Sequence, residues 1–198
     1  MTKRLAPDHC LGVIIDVQEF FLLQVEKRLR SKLKVNISNF ARLLRYFEVP
    51  TVVTLERPIE QKGRLPAVIG NTLGGIAATF GKNFFDLTKE KKIRDHLGSL
   101  KKKQVIVAGC ETDVCVLQSC LGLLNLGYEV FVVEELLFSS AQNVASAIAR
   151  MKSEGAVVLT YKSLYYELIE AVEGCRHSEK MLEVYGPFPD ELPDVATF

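Results

Sequence analysis

The chain has no excess of charge of either sign. Its 25 lysines and arginines face 24 aspartates and glutamates among 198 residues, a net charge of +1. That balance gives no support for a broad polyanion-binding surface. Long hydrophobic runs are also missing. Apolar stretches such as residues 105–109 and 156–159 fall far short of the ~20 residues of a membrane span, so no membrane partner is expected. The opening Met1-Thr2-Lys3-Arg4 carries no apolar leader core. Cysteine is sparse and irregular. Five cysteines, an odd number without a recurring spacing, read as reduced thiols, and the expected setting is intracellular, cytoplasmic or mitochondrial. Histidine is rarer still: His9, His96 and His177 are the whole supply, and none lies near Cys110 or Cys115. Neither a zinc site nor any other metal or cofactor is expected. No repeat or low-complexity segment is visible.

What is present is an ordinary globular composition, 48% hydrophobic and 25% charged, in a chain long enough to bury a core without staples. We read one domain over residues 1–198, with 174–198 as an acidic, proline-containing C-terminal tail. Apolar runs at 11–16, 51–56, 104–109, 128–134 and 156–161, and a weaker one at 76–80, predict six strands. Helical periodicity is expected over 24–47, 88–97, 114–126, 141–154 and 164–172. Residues 57–80, punctuated by Pro58, Gly63, Pro66, Gly70, Gly74 and Gly75, read mostly as loop. Continuously apolar strands separated by helix-length gaps mark a parallel sheet covered on both faces. The fold class is therefore α/β, three-layered and doubly wound, Rossmann-like, with a six-stranded parallel sheet in the order 3-2-1-4-5-6.

Such folds bind ligands at the carboxyl ends of the strands, where strand order reverses. Strand one ends in Asp16, and strand four is followed by Cys110-Glu111-Thr112-Asp113-Val114-Cys115, so topology draws Asp16 and Cys115 together. A free cysteine is most often a small buried apolar residue. At a helix start, however, the amide dipoles favour a thiolate, and an open sheet edge would admit reagents. Asp16 would be a general base there, or merely a cap. Cys110, Cys120 and Cys175 keep the bland role.

Three motifs in order, Asp16-Val17-Gln18, Lys82-Asn83-Phe84-Phe85, and Gly109-Cys110-Glu111-Thr112-Asp113-Val114-Cys115-Val116, resemble those of the isochorismatase-like cysteine hydrolases. That superfamily includes nicotinamidases and N-carbamoylsarcosine amidases. The resemblance spans roughly residues 10–173 and is best for the isochorismatase-domain-containing subgroup. It implies a catalytic triad of Asp16, Lys82 and Cys115. It further implies a cis peptide between Cys110 and Glu111, and an oxyanion site formed by the backbone amides of Glu111 and Cys115. Its implied chemistry is hydrolysis of a small amide or carbamoyl compound through a covalent acyl-enzyme, by an oligomer that is a dimer or tetramer. Gln18, Phe20, Phe21, Leu55, Glu56 and Phe84 are the expected substrate-pocket residues. Two departures stand out. Nicotinamidases carry an Asp/His metal cluster after strand two, and this chain has no histidine there. The subgroup's Gln-Tyr-Pro is replaced by Glu56-Arg57-Pro58.

Two other readings remain open. Some relatives of this fold carry a ribonuclease label, and the basic stretches 27–34 and 89–103 would suit RNA. No aromatic interleaving accompanies them, and the lysines at 101–103 precede strand four, at the end of the sheet opposite Cys115. A solvated helix face explains them equally well. The third reading is a non-catalytic scaffold.

Overall fold

The structure is a computed structural model that describes residues 3–170. The tail expected at 174–198, with Cys175 and His177, lies outside the described residues, as do the last two residues of the helix expected at 164–172. In chain order the elements are β1 (Cys10–Ile15), α1 (Glu19–Leu23), α2 (Lys27–Tyr46), β2 (Thr51–Glu56), α3 (Ile59–Lys62), α4 (Ala67–Leu73) and β3 (Ala77–Lys82). They continue with α5 (Lys91–Ser99), β4 (Gln104–Gly109), α6 (Leu117–Asn125), β5 (Glu129–Leu137), α7 (Ala145–Ser153), β6 (Val157–Leu159) and α8 (Tyr161–Ile169). All five strand pairings are parallel, and the sheet runs β3-β2-β1-β4-β5-β6, as the sequence pattern predicts.

Strand side chains alternate between two apolar layers, as period two requires. Ile14, Val53, Ile106, Phe131 and Val133 face one layer with residues of α2, α4 and α8. Val13, Val52, Val107, Val130 and Val132 face the other, with residues of α5, α6 and α7. The central strands are thus buried on both sides, which is why they are apolar throughout. In α2 the residues Leu33, Ile37, Phe40, Ala41 and Leu44 recur at helical spacing and are buried, while its basic residues sit on the other side. That helix stops where Glu48 takes a left-handed φ of +51° just ahead of Pro50.

Residues 57–80 depart from the loop expectation, because α3 and α4 both lie there. Pro58 and Pro66 stand at the N-caps of these helices, and Gly63 and Gly74, both at positive φ, close them. The prolines and glycines that read as loop punctuation are helix boundaries, so the segment between them is helical. Other elements shift at their ends. β3 continues to Lys82 and ends the sheet there. The helix expected from 114 starts as a π-helical turn over Thr112–Val116 and becomes α-helical only from Leu117. β6 stops at Leu159 because Thr160 caps α8, its hydroxyl accepting from the Ser163 amide at 3.0 Å. Among the described residues no helix is long and apolar enough to cross a membrane.

Phe40 is fully buried in the α2 layer. Phe40→Ala is expected to cost about 3–5 kcal/mol of stability, read in urea titration as a lower midpoint at an unchanged slope.

Candidate functional site

Four neighbouring strands each deliver one chemically competent residue to the carboxyl edge of the sheet. Register sets their level. Ile15 pairs with Thr54 and Gly109, and Glu56 pairs with Lys82. Asp16 thus follows β1, Glu56 ends β2 and Lys82 ends β3, while Cys115 hangs from the π-helical turn after β4. Asp16 adopts a φ of +50°, an uncommon conformation for any residue with a Cβ, which turns the chain out of the strand. Gly109 stands beside it at φ +124°, where a Cβ would lie 2.0 Å from the Ile15 carbonyl oxygen, so only glycine lets β4 approach β1 this closely. The Cys110–Glu111 peptide bond is cis, as is Arg57–Pro58.

The side chains converge on one ammonium. Lys82 is 0% exposed, and its Nζ lies 2.7 Å from Asp16 Oδ2, 3.4 Å from Cys115 Sγ and 3.7 Å from Glu56 Oε2. The Cys115 thiol donates to Glu56 Oε2 at 3.1 Å. Thr54 Oγ1 donates to Asp16 Oδ1 at 2.8 Å. At the outer side of the cluster Lys62, the last residue of α3, is ion-paired with Glu56 Oε1, and its ammonium stands 5.9 and 5.5 Å from the ring centres of Phe20 and Phe21. The ligand-type atoms of Asp16, Glu56 and Cys115 all lie within 4.8 Å of one another, but the Lys82 ammonium already sits in contact with all three. The charge that would attract a cation is neutralised by a side chain of the protein.

Electrostatics follow from burial and these contacts. Burial raises the Asp16 carboxyl above its ordinary value, against the opposing pull of Lys82. For Glu56 burial acts the same way but is outweighed by Lys62, Cys115 and Lys82, so its carboxyl falls below the usual range. Lys82 loses basicity by burial and regains more from Asp16 and its other neighbours, ending above its ordinary value. The Cys115 thiol is pushed well up, first by burial and then by Asp16, with Lys82 opposing and Glu56 adding to the rise. This corrects the expectation of a depressed thiol at an open edge. The residue is 2% exposed, and it faces two carboxylates as well as the helix-start dipole. Cys10 and Cys120, both buried, are pushed up to about 12, and Cys110 donates to the Asp16 carbonyl at 3.0 Å. Burial therefore does not single out Cys115; its neighbours do.

The expected pocket residues divide. Phe20 and Phe84 are exposed, at 45% and 50%. Phe21 and Leu55 are buried, with Phe21 inside the apolar layer beneath Lys62, and so they do not offer free lining. Gln18 is also withdrawn from ligand duty. Its Nε2 donates to the carbonyls of Glu56 (3.2 Å) and Gly63 (2.8 Å), and its Oε1 accepts from the Glu56 amide (2.7 Å). It is a buried clamp that ties the end of β2 to the end of α3. Glu56, expected in the pocket wall, belongs to the reactive cluster itself. Thr54 and Lys62 were not anticipated. A polar residue two positions before Glu56, on the same face of a buried strand, was the available signal for Thr54. Lys62 gave none. Of the basic stretches, Lys103 is bonded to His9 before β1 at the opposite end of the sheet.

Residues 10–163 match the sequence model of the Isochorismatase domain. The bovine isochorismatase domain-containing protein 2 is 28% identical over 188 residues, covering 94% of this chain and 88% of that protein. The structure of YcaC from Pseudomonas aeruginosa, solved with hexane-2,5-diol and covalent acrylamide, superposes with a TM-score of 0.81 at 26% identity, over 87% of this chain and 86% of the other. The MAR1 ribonuclease of Caenorhabditis elegans superposes with a TM-score of 0.81 at 23% identity, over 96% and 98% of the two chains; at that identity the likeness is one of fold.

The cluster makes a pH-dependent prediction. Asp16 titrates above its ordinary 3.8 when folded, so its ionised form costs stability at neutral pH, and the cost fades as pH falls through the folded value. Lys82→Met enlarges that cost by stranding the carboxylate. The variant is expected to lose about 3–5 kcal/mol near neutrality, with the deficit narrowing as the medium approaches the ordinary carboxylate range. Urea titrations across pH measure this, and a pH-independent deficit would contradict it.

Proposed function

Because the chain belongs to the isochorismatase family, we propose that it is a cysteine-dependent hydrolase of a small amide or carbamoyl compound, acting through a thioester on Cys115. The observation that carries this reading is the contact of the Cys115 sulphur with an ammonium and a carboxylate together, at 3.4 and 3.1 Å. A nucleophile with an adjacent proton acceptor is the minimum for covalent catalysis. Cys110 and Cys120 carry no such pair.

In the proposed sequence Sγ attacks the carbonyl carbon as its proton passes to a carboxylate of the cluster. The backbone amides of Glu111 and Cys115 receive the oxyanion. The leaving amine takes the proton, and water then cleaves the thioester. Lys82 carries the negative charge of this exchange without changing its own protonation, because Asp16 holds it ionised. Of the members of the triad, Asp16 thus acts on the ammonium and Lys82 on the sulphur. Phe20 and Phe84 form the exposed rim through which substrate enters. Among the described residues no contact favours the ribonuclease reading, since the basic lysines before β4 lie at the far end of the sheet. The assembled cluster speaks against a scaffold without chemistry.

We also propose that the chain self-associates. Phe20, Leu23, Phe84 and Phe85, in the segments after β1 and β3, all remain about half exposed at the edge of the sheet that carries the cluster.

Two measurements follow. A screen of small amides and carbamoyl compounds with ammonia release as readout is expected to find turnover that Cys115→Ala removes, a loss of about a thousandfold or more; turnover unaffected by that substitution would overturn the reading. Light scattering on the eluted protein is expected to give a mass above the 22.2 kDa of one chain.

A further inference from the structure

We propose that Glu56, and not Asp16, is the carboxylate that takes the proton of Cys115 and returns it to the leaving amine. The inference rests on the thiol-hydrolase reading above and deepens it.

Proton transfer needs reach before it needs a matched acidity. Glu56 Oε2 is the acceptor of the Cys115 thiol, at 3.1 Å. Asp16 is committed elsewhere. Its Oδ1 takes the Thr54 hydroxyl at 2.8 Å and its Oδ2 faces the Lys82 ammonium at 2.7 Å. Access points the same way. Asp16 is fully buried, whereas Glu56 sits at the outer side of the cluster, with Lys62 between it and the exposed ring of Phe20. A proton on Glu56 can reach a leaving group that enters from solvent; a proton on Asp16 lies behind Lys82.

The groups facing Glu56 come from every element around it. Asp16 faces it from the end of β1, Lys82 from β3, Cys115 from the turn after β4, and Lys62 from α3. Two ammonium groups, against burial and the like charge of Asp16, keep Glu56 ionised in the resting state, which is the form that accepts a proton. Where the resemblance expects a glutamine after strand two, this chain has a glutamate. A side-chain amide at this position accepts a hydrogen bond but not a proton, so the substitution adds a function. Lys62 is then a positioning residue that holds the Glu56 carboxylate toward the sulphur.

The step balances as follows. The S–H bond breaks as the O–H bond forms on Glu56 Oε2 and sulphur bonds to the carbonyl carbon, whose π pair moves to oxygen. When the carbonyl re-forms, the C–N bond breaks and nitrogen takes the proton from Oε2. Water then gives a proton to Oε2 as its oxygen attacks the thioester. The second collapse breaks the C–S bond, and sulphur recovers that proton. One water is consumed and the protein is restored.

The test follows Cys115 with iodoacetamide in the full chain across about pH 6 to 9, by peptide mass mapping, in wild type, Glu56→Gln and Glu56→Asp. Near neutrality, Glu56→Gln is expected to slow Cys115 alkylation about tenfold or more, with Glu56→Asp recovering part of the rate. A purely electrostatic or structural role predicts the opposite sign. Removing a negative charge beside a thiol eases its ionisation, so Glu56→Gln would then label faster than wild type. A rate equal to or above wild type overturns the proposal. Cys10 and Cys120 in the same digests report unfolding, since they stay slow only while the core is intact. The ammonia-release screen with Cys115→Ala judges the underlying hydrolase reading separately. If no compound is turned over, that reading falls while the alkylation order still decides whether Glu56 takes the proton. If turnover depends on Cys115 but survives undiminished in Glu56→Gln, the reading stands and the role of Glu56 falls.

Discussion

The burial of one lysine organises this end of the molecule. Moving an ammonium out of water costs several kcal/mol even after relaxation, and Lys82 has no exposed surface. It is tolerable only because β1 and β2 end level with β3 in carboxylates, Asp16 at 2.7 Å and Glu56 at 3.7 Å. That requirement reaches back into the fold. The parallel register must place Glu56 opposite Lys82. Thr54, the pairing partner of Ile15, must point its hydroxyl at Asp16. Gln18 must fasten the end of β2 to the α3 turn, so that Glu56 and Lys62 stay in place.

Charge counting explains why Lys62 belongs with Glu56. One ammonium and one carboxylate, Lys82 and Asp16, already balance. A second carboxylate in this enclosed place would leave a net negative charge beside a thiol that must ionise to react. Lys62 restores neutrality from the outer side, where its ammonium stands over the rings of Phe20 and Phe21 and its side chain stays partly exposed. The glutamate and the lysine six residues later therefore act as one charge pair, carried by β2 and α3, whose separation is fixed by the Pro58 helix start and the Gly63 stop.

Most of the architecture was legible because the sheet is doubly covered. Its strands had to be apolar on both faces, and their spacing fixed the order and the edge at which Asp16 and Cys115 meet. The errors arose where local chemistry has two meanings. Pro58, Gly63, Pro66 and Gly74 punctuate loops and also bound short helices, and only packing distinguishes the two. Lys82 was legible only through the resemblance, because the weak apolar run of its half-covered edge strand ends at residue 80, two positions before it. Glu56 was legible as a pocket residue from the resemblance, but its hydrogen bond to the thiol depends on side-chain direction, which no spacing reveals. Lys62 was invisible because a surface-type lysine in a short helix carries no pattern.

The direction of the Cys115 shift matters for what the site can do. Dipoles at a helix start favour a resident thiolate, and the sequence invited that expectation. Burial and the two carboxylates overrule it, leaving a protonated, nearly enclosed thiol. Such a sulphur is a poor nucleophile at rest and a poor target for passing electrophiles. It becomes nucleophilic only if its proton leaves as the new bond forms, and the carboxylate that takes that proton must be ionised at rest and close enough to act in the transition state. Glu56 meets both conditions: two ammonium groups keep it ionised, and its oxygen already holds the thiol hydrogen. The strain of Asp16 at positive φ and the glycine demanded at Gly109 belong to the same requirement. They bring β1 and β4 close enough for sulphur, ammonium and carboxylate to share one small space, so that a charge forming on any of them is met by another without rearrangement of the backbone.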